Sequence, residues 1–330
     1  MWKEVHKFIR AYDVFLITAH VNPDGDAIGS AMALKMFLEN EGKDAIVVIP
    51  SDIPPSLSVL DPDNEIRVFS RDVDKSVLDD IDAIFILDLN NWDQLGVFGG
   101  PIQHASLPRV CIDHHQGVDD AFADIIVSDT SAAATGILIH ELIGSMDGAF
   151  TRDIVRVLYA ALITDTGTFR FSNTDERAFR TAAELVKNGA EPFAMHRAVF
   201  ASKSWAAGNL LGPVLGTLDS AADGRLAWIS ASQKMVQAAG ATYDDMDGFV
   251  DLIRAIRGVE LVLFFKEIPD GHVKVSLRSN GGVDAFAIAR HFGGGGHRMA
   301  SGMRLDGPLE STIKQVVAAC VQMDGIQTGG

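Results

Sequence analysis

Short apolar segments that end in aspartate or histidine recur along the chain, and this repetition constrains the fold more than any other feature. Short apolar runs bounded by proline and glycine are typical of buried strands in a parallel sheet. The carboxyl ends of parallel strands meet at one edge of the sheet, where open α/β proteins bind ligands. We therefore expect the polar residues that end these segments to converge on one crevice. The four segments are residues 15–20, 84–88, 110–115 and 162–165.

The order of the apolar patterns predicts an α/β protein of two domains. In the first half, strand patterns alternate with helical patterns, which favours a mostly parallel sheet with helices on both faces. The strand patterns lie at 14–18, 45–49, 83–88 and 109–113, and the helical patterns at 27–40, 131–143, 152–163 and 175–187. We expect the N-terminal domain to span residues 1–190 and a helical linker to span 191–212, because glycine and proline interrupt the helical pattern near Pro192.

The patterns along the remaining residues, 213–330, predict a smaller mixed α/β domain. Strand patterns here lie at 214–218, 226–230, 260–266 and 273–278, and helical patterns at 249–257, 284–291 and 309–321. We expect the active site to lie in the cleft between the two domains.

Composition narrows the class of protein. A chain of 330 residues with 47% hydrophobic content is large enough for two cores, and its formal net charge of −16 argues against a broad surface for long nucleic acid. Cys111 and Cys320 are the two cysteines, too few for a disulfide framework, so we expect reduced thiols and a cytoplasmic location. The sequence has no apolar stretch long enough to span a bilayer, so we expect no membrane partner.

Six residues at or near the ends of the apolar segments form a candidate metal-ligand set. Two imidazoles and four carboxylates suit two hard or borderline divalent cations that share a bridging carboxylate. A single such aspartate is commonly a turn former or helix cap, and a single histidine is usually structural. The complete set is harder to explain without metal, because crowded carboxylates repel one another. Its members are His20, Asp24, Asp26, Asp88, His114 and Asp165.

Several motifs resemble those of the DHH phosphoesterases. Residues 20–26, His-Val-Asn-Pro-Asp-Gly-Asp, are similar to the first motif of that family, and residues 113–115 are the Asp-His-His that names it. Asp88 and Asp165 follow in the expected order. Residues 293–297, Gly-Gly-Gly-Gly-His, with Ala-Ser-Gly at 300–302, resemble the glycine-rich motif of the associated substrate-binding domain. The resemblance covers nearly the whole chain, in the two-domain form of bacterial nanoRNase/pAp phosphatases.

The resemblance implies roles for individual residues. Two Mn²⁺ ions would be bound, the first by His20, Asp24 and Asp88, and the second by Asp26, Asp88, His114 and Asp165, with Asp88 as the bridge. His115 would face the substrate phosphate, and Asp113 would orient the histidines. Substrate would be bound by Arg278, Ser279, Asn280, Gly294, Gly295, Gly296 and His297, with Arg257 as a helper. The role of Arg170 is open.

The implied activity is two-metal hydrolysis of short oligoribonucleotides to mononucleotides, together with hydrolysis of 3′-phosphoadenosine 5′-phosphate to AMP. A phosphodiesterase for cyclic di-AMP or linear pApA is the main alternative. A polyphosphate or pyrophosphate hydrolase and a non-catalytic nucleotide-binding module are disfavoured. The expected partners are short single-stranded RNA or a small nucleotide, not long nucleic acid. A homodimer is an open alternative.

Overall fold

The computed structural model describes residues 1–117, 121–200, 203–296 and 298–323. The chain divides into two compact units, Met1–Ser202 and Lys203–Gly330. No helix in the described ranges combines the length and the apolar character needed to cross a membrane.

The first unit is built on a six-stranded sheet in which every neighbouring pair of strands is parallel. The strands are β1 (Val14–Thr18), β2 (Asp44–Ile49), β3 (Arg67–Val68), β4 (Ala83–Leu87), β5 (Arg109–Asp113) and β6 (Ile125–Ser128). Their order across the sheet is β3-β2-β1-β4-β5-β6, so the direction of winding reverses between β1 and β4. Doubly wound sheets bind ligands outside the carboxyl ends of the strands at such a reversal.

Helices cover both faces of this sheet, as predicted. They are α1 (Lys3–Ala11), α2 (Gly25–Asn40), α3 (Gly96–His104), α4 (Thr135–Ser145), α5 (Arg152–Asp165), α6 (Glu176–Lys187) and α7 (Pro192–Phe200). Successive residues of a strand point to opposite faces. Phe15 and Ile17 therefore join one apolar core, with α2, α4 and α5, whereas Leu16 joins the other, with α3.

Packing between α2 and α5 brings distant parts of the sequence together. The Asp24 side chain accepts hydrogen bonds from backbone N–H groups in the first turn of α2 and so caps this helix. A Cβ atom on Gly25 would clash with the side chain of Thr164 in α5. Glycine at this position lets the start of α2 approach the end of α5 closely. Asp24 and Asp26 are thereby placed near Asp165.

The second unit contains a mixed sheet, which confirms the predicted mixed α/β architecture. Its strands are β7 (Asp219–Ala221), β8 (Leu226–Ala231), β9 (Leu261–Glu267), β10 (His272–Ser279), β11 (Gly295–Gly296) and β12 (Ala300–Asp306). Its helices are α8 (Trp205–Leu215), α9 (Gln233–Ala239), α10 (Phe249–Arg254), α11 (Ala285–His291) and α12 (Leu309–Met323). The strand order is β11-β12-β10-β9-β8-β7. The β8–β9 pair is parallel and the other pairs are antiparallel.

Three local predictions were wrong. The apolar segment at 162–165 is not a strand but the end of α5, because it continues the helical apolar pattern of residues 152–163. Residues 214–218 do not form a strand: Val214 lies in the last turn of α8, where it and Leu210 are buried on one face four residues apart. The helix predicted to start near Ser131 begins instead at Thr135. The reason is local, because Asp129 accepts hydrogen bonds from the backbone N–H and the hydroxyl of Ser131 and holds these residues in a turn.

Candidate metal centre and nucleotide-binding residues

Asp88 lies at the centre of a cluster formed at the carboxyl ends of β1, β4 and β5. His20 Nε2 lies 3.4 Å from Asp88 Oδ2, and His114 Nε2 lies 3.5 Å from Asp88 Oδ1. His115 Nδ1 lies 3.9 Å from Asp88 Oδ1. One carboxylate therefore faces imidazoles from two strands on either side of it, which is the position a bridging ligand requires.

The six candidate ligands fall into two groups. Ligand atoms of His20, Asp24 and Asp88 all lie within 4.8 Å of one another, and the same holds for Asp26, His114 and Asp165. Ligands at about 2.1 Å from a common ion are separated by at most about 4.2 Å, so small adjustments would let each group hold one cation. Oxygen and imidazole donors suit divalent cations of the Mg²⁺, Mn²⁺ and Zn²⁺ type. The donor set thus fits the divalent cations that the sequence implies.

Asp26 is fully buried at the start of α2, and its carboxylate is held by backbone groups. Its two oxygens accept N–H hydrogen bonds from Thr135 at 2.6 Å and Gly136 at 2.8 Å, in the first turn of α4. Ser30 donates its hydroxyl at 3.1 Å. Burial, together with the charges of Asp88 and Asp165, raises the pKa of Asp26 well above its ordinary value in the absence of metal. A cation close to Asp26 would lower this pKa and favour the deprotonated form.

Asp88 itself has an unusual backbone. It immediately follows β4 with a φ of 60°, in the left-handed region that non-glycine residues rarely occupy. The buried Thr135 donates its hydroxyl to Asp88 Oδ1 at 3.0 Å. Strained conformations of this kind persist where the surrounding structure enforces them, and they concentrate at functional sites. In this conformation the Asp88 carboxylate lies between His20 and His114.

The ring nitrogens that face away from the cluster contact backbone oxygens. His20 Nδ1 lies 2.9 Å from the carbonyl oxygen of Val21, and His114 Nδ1 lies 3.1 Å from that of Ala132. If Nδ1 carries the proton in each ring, Nε2 presents its lone pair to the cluster, as in metal-ligating histidines. These backbone contacts favour the tautomer that a metal-ligating histidine needs.

His115 and Asp113 form a separate pair beside the ligands. Asp113 is fully buried, and its Oδ1 lies 2.7 Å from His115 Nδ1. The side chain of His115 is 43% exposed, far more than the 12% of His114. This pairing holds the His115 ring and leaves its Nε2 directed away from Asp113, where it can meet a substrate oxygen.

Protons compensate the carboxylates in the metal-free protein. Burial alone would lower the pKa of His20, but hydrogen bonding to Asp88 and the charges of Asp88 and Asp24 raise it to about 9. Burial also opposes protonation of His114, but its hydrogen bond to Asp88 and the charges of Asp26 and Asp88 raise its pKa to about 10. Burial raises the pKa of Asp165 to about 7 despite the nearby His114. Metal ions would replace these protons as the balancing charge.

Thr135 and Asn173 contact candidate ligands and were missed in the sequence. Thr135 contacts both Asp26 and Asp88. Asn173 Nδ2 donates to the backbone oxygens of Asp165 at 3.0 Å and Ala133 at 3.1 Å, and lies 3.4 Å from Asp165 Oδ2. Neither residue ends an apolar segment or belongs to a metal-ligand type, so no local pattern identifies it. Both orient ligands through contacts that exist only after folding.

In the second unit, two of the proposed substrate residues are engaged internally. Ser279 is buried, and its hydroxyl donates to the Val283 carbonyl oxygen at 2.6 Å. The Asn280 side chain accepts a hydrogen bond from Arg254 Nε at 3.1 Å and donates to two backbone oxygens. Their direct contacts to substrate stay predictions. Arg278 is half-buried, and its guanidinium donates to the carbonyl oxygen of Leu277.

The glycine-rich segment packs against β12. Gly295 and Gly296 pair with it as β11, and a Cβ atom on Gly294 would clash with the carbonyl oxygen of Gly302. A side chain at position 294 is therefore excluded by the sheet itself. His297 lies outside the described residues. Arg257 is exposed beyond the end of α10, and its role stays a prediction.

A short row of basic side chains crosses the second sheet. Lys274 of β10 is the register partner of Lys266 in β9, and Arg278 lies on the same face of β10 because it is four residues from Lys274. We call Lys266, Lys274 and Arg278 the basic strip. Within the described residues none of the three forms an ion pair with a carboxylate. Lys266 instead places Nζ 4.9 Å from the ring centroid of Phe264.

Comparison with known proteins places these features in a family. Residues 14–162 match the model of the DHH family N-terminal domain, and residues 231–323 match the DHHA1 domain. The chain is 35% identical over 305 residues to the bifunctional oligoribonuclease and PAP phosphatase NrnA of Thermus thermophilus, covering 92% of this chain and 88% of that protein. It is 28% identical over 306 residues to the Bacillus subtilis protein of the same name, covering 92% of each.

A solved structure agrees with the sequence comparisons. An exopolyphosphatase-related protein from Bacteroides fragilis superposes with a TM-score of 0.89 at 27% identity, covering 96% of this chain and 94% of that chain. Both domain models thus match in order, and similarity extends over most of the chain. The protein therefore belongs to the DHH phosphoesterase family and is a metal-dependent phosphoesterase.

Proposed function

We propose that this protein hydrolyses short oligoribonucleotides to mononucleotides with two divalent cations, Mn²⁺ being the expected ion, and that it also converts 3′-phosphoadenosine 5′-phosphate to AMP. The observation that carries this proposal is the pair of ligand groups around Asp88. The names of the Thermus thermophilus and Bacillus subtilis relatives support the choice of substrates.

Within this proposal, each ligand group holds one cation, and Asp88 also serves the second group as the bridge. His20, Asp24 and Asp88 would hold one cation, and Asp26, Asp88, His114 and Asp165 would hold the other. When bound, such a pair of ions activates water at neutral pH and stabilises the charge that develops during phosphoryl transfer. His115, held by Asp113, would donate from Nε2 to a phosphate oxygen or to the leaving oxygen.

Recognition is assigned to the second unit. Arg278 would bind a phosphate of the substrate, and the glycine segment would let backbone groups approach it closely. The basic strip is short, and the chain as a whole carries a formal charge of −16. Short oligonucleotides, which need few phosphate contacts, should therefore be preferred to long RNA.

The test is a panel of substrates assayed with Mn²⁺. It would contain RNA of two, five and 24 nucleotides, 3′-phosphoadenosine 5′-phosphate, pApA, cyclic di-AMP, pyrophosphate and tripolyphosphate. We expect mononucleotide release from the two- and five-nucleotide RNAs at least about tenfold faster than from the longest RNA. We expect no activity after chelation or in the Asp88→Asn variant. Preference for cyclic di-AMP or for polyphosphate would contradict the proposed substrate class.

A further inference from the structure

The turn that follows Asp165 has an exceptional backbone. Gly167, Thr168 and Phe169 have φ values of 55°, 60° and 62°, so three successive residues lie in the left-handed region. Two of them carry a β-carbon, which makes this region sterically unfavourable for them. A run of this kind requires strong local restraints, and strain of this type is concentrated at functional sites.

Hydrogen bonds supply those restraints and attach the turn to the metal centre. The N–H groups of Arg170 and Phe171 both donate to the carbonyl oxygen of Thr166, at 2.9 and 3.0 Å. Arg170 Nε donates to the Gly167 carbonyl oxygen at 2.7 Å. At the far end of the turn, the side-chain amide of Asn173 donates a hydrogen bond to the backbone carbonyl oxygen of Asp165. Both ends of the segment from 166 to 173 are therefore fixed at one metal ligand.

The turn presents one aromatic ring to solvent. Phe171 is 44% exposed, whereas Phe169 packs against the apolar core. A Cβ atom on Gly167 would clash with the Phe171 ring, so the ring lies directly on the glycine. Gly167 is two residues from Asp165, a separation of at most about 7 Å between Cα atoms. Phe171 is thus a fixed, exposed aromatic surface beside the proposed metal site.

We propose that Phe171 is the stacking surface for the base of a nucleotide whose phosphate is held at the metal centre. This inference rests on the proposed function and identifies a residue that sets its substrate preference. Aromatic side chains stack on all bases because every base has a π face, so this contact favours nucleotides without selecting a base. Arg170 is exposed beside Phe171 and uses only its Nε within the turn, which leaves its terminal nitrogens available to the same nucleotide.

The chain offers a matched control for Phe171. Phe193 is an exposed phenylalanine of the same unit, with 76% of its surface accessible. It lies at the start of α7, where Glu191 pairs with Arg152 at the first residue of α5. Asp165 is the last residue of that 14-residue helix, about 20 Å away along its axis. Substitution of Phe193 should leave nucleotide hydrolysis unchanged.

Steady-state kinetics provides the first test, with pApA and two analogues that each lack one base. Phe171→Leu should raise KM for pApA about tenfold and change kcat little. Phe171→Tyr, which keeps an aromatic ring, should have the KM of the wild type. The effect of Phe171→Leu should disappear for one of the two abasic analogues. Mn²⁺ affinity, measured by calorimetry, should be the same in the wild type and both variants. Equal effects on all three substrates, or a normal KM for pApA in Phe171→Leu, would overturn the inference.

A fluorescence signal tests base contact without turnover. The signal is the difference in tryptophan fluorescence between each variant and the wild type. With Mg²⁺ present, AMP should quench this difference in Phe171→Trp but not in Phe193→Trp. Equal responses in the two variants would count against stacking at Phe171. This readout separates the inference from the proposed function: failure of the wild type to cleave short RNA would refute the function, while quenching by AMP would still report a base at Phe171.

Discussion

Thr135 donates its hydroxyl hydrogen to Asp88 Oδ1 at 3.0 Å, across 47 residues of sequence. The contact joins the start of α4 to the end of β4 and fixes the carboxylate that would bridge the two proposed cations. Thr135→Val removes the donor and keeps the shape, so we predict that it weakens Mn²⁺ binding about tenfold. Thr135→Ser retains the hydroxyl and should bind Mn²⁺ like the wild type. Calorimetric titration of metal-free protein distinguishes the two, and equal affinities in both variants would contradict a positioning role for this hydroxyl.

Asp88 and Asp24 should differ in the number of ions that depend on them. Asp88 faces His20 and His114 together, whereas Asp24 belongs to one ligand group. We predict that Asp88→Asn loses both ions and that Asp24→Asn retains one. Metal analysis of dialysed protein measures the stoichiometry. Retention of two ions in Asp88→Asn would show that the carboxylate does not act as the bridge.

Metal binding should release protons at neutral pH. Without metal, the pKa values of His20 and His114 are raised to about 9 and about 10. At pH 7 both rings are therefore protonated on both nitrogens and carry a positive charge. Ions bind neutral imidazole, and the apparent affinity should therefore increase as the pH rises from 6 towards 9. Calorimetry in buffers of different ionisation enthalpy counts the protons released. An affinity independent of pH over this range would refute the proton–metal exchange.

The basic strip should affect longer oligonucleotides more than small substrates. Lys266→Ala and Lys274→Ala are predicted to weaken binding of a five-nucleotide RNA about tenfold, with little effect on 3′-phosphoadenosine 5′-phosphate. Lys314→Ala is the matched control, because Lys314 is exposed on α12, which packs against the opposite face of the sheet. Fluorescence anisotropy with labelled RNA and metal-free protein measures the affinities. A similar loss in Lys314→Ala would indicate a general charge effect.

Lys266 adds a pH dependence to the same measurement. Burial and the neighbouring charges of Lys274 and Arg278 lower its pKa to about 8. Its charge is therefore present at pH 7 and largely lost at pH 9, so binding of the five-nucleotide RNA should weaken over that interval. The Lys266→Ala variant should show a smaller change between the two pH values than the wild type. An identical pH dependence in the two proteins would exclude Lys266 as the titrating group.

The sequence alone was sufficient to predict the parallel sheet and to pick out a set of candidate ligands whose side chains the fold brings together. Buried parallel strands are apolar along their whole length, so β1, β4 and β5 stand out as segments, and the polar residues that follow them stand out equally. Because parallel strands end at one edge, their terminal residues could be predicted to converge without knowledge of the packing. Short strands such as Arg67–Val68 left no comparable signal.

Tertiary structure decided everything that depends on contacts between distant residues. Thr135 and Asn173 hold candidate metal ligands, yet each is an ordinary polar residue in its own segment. Lys266 and Lys274 become neighbours only through the register of β9 and β10. The left-handed turn at 167–169 is likewise invisible in the sequence, since Thr and Phe disfavour it and only the surrounding hydrogen bonds impose it. Local patterns report where a chain is buried and where it turns, whereas orientation and charge compensation arise from packing between elements.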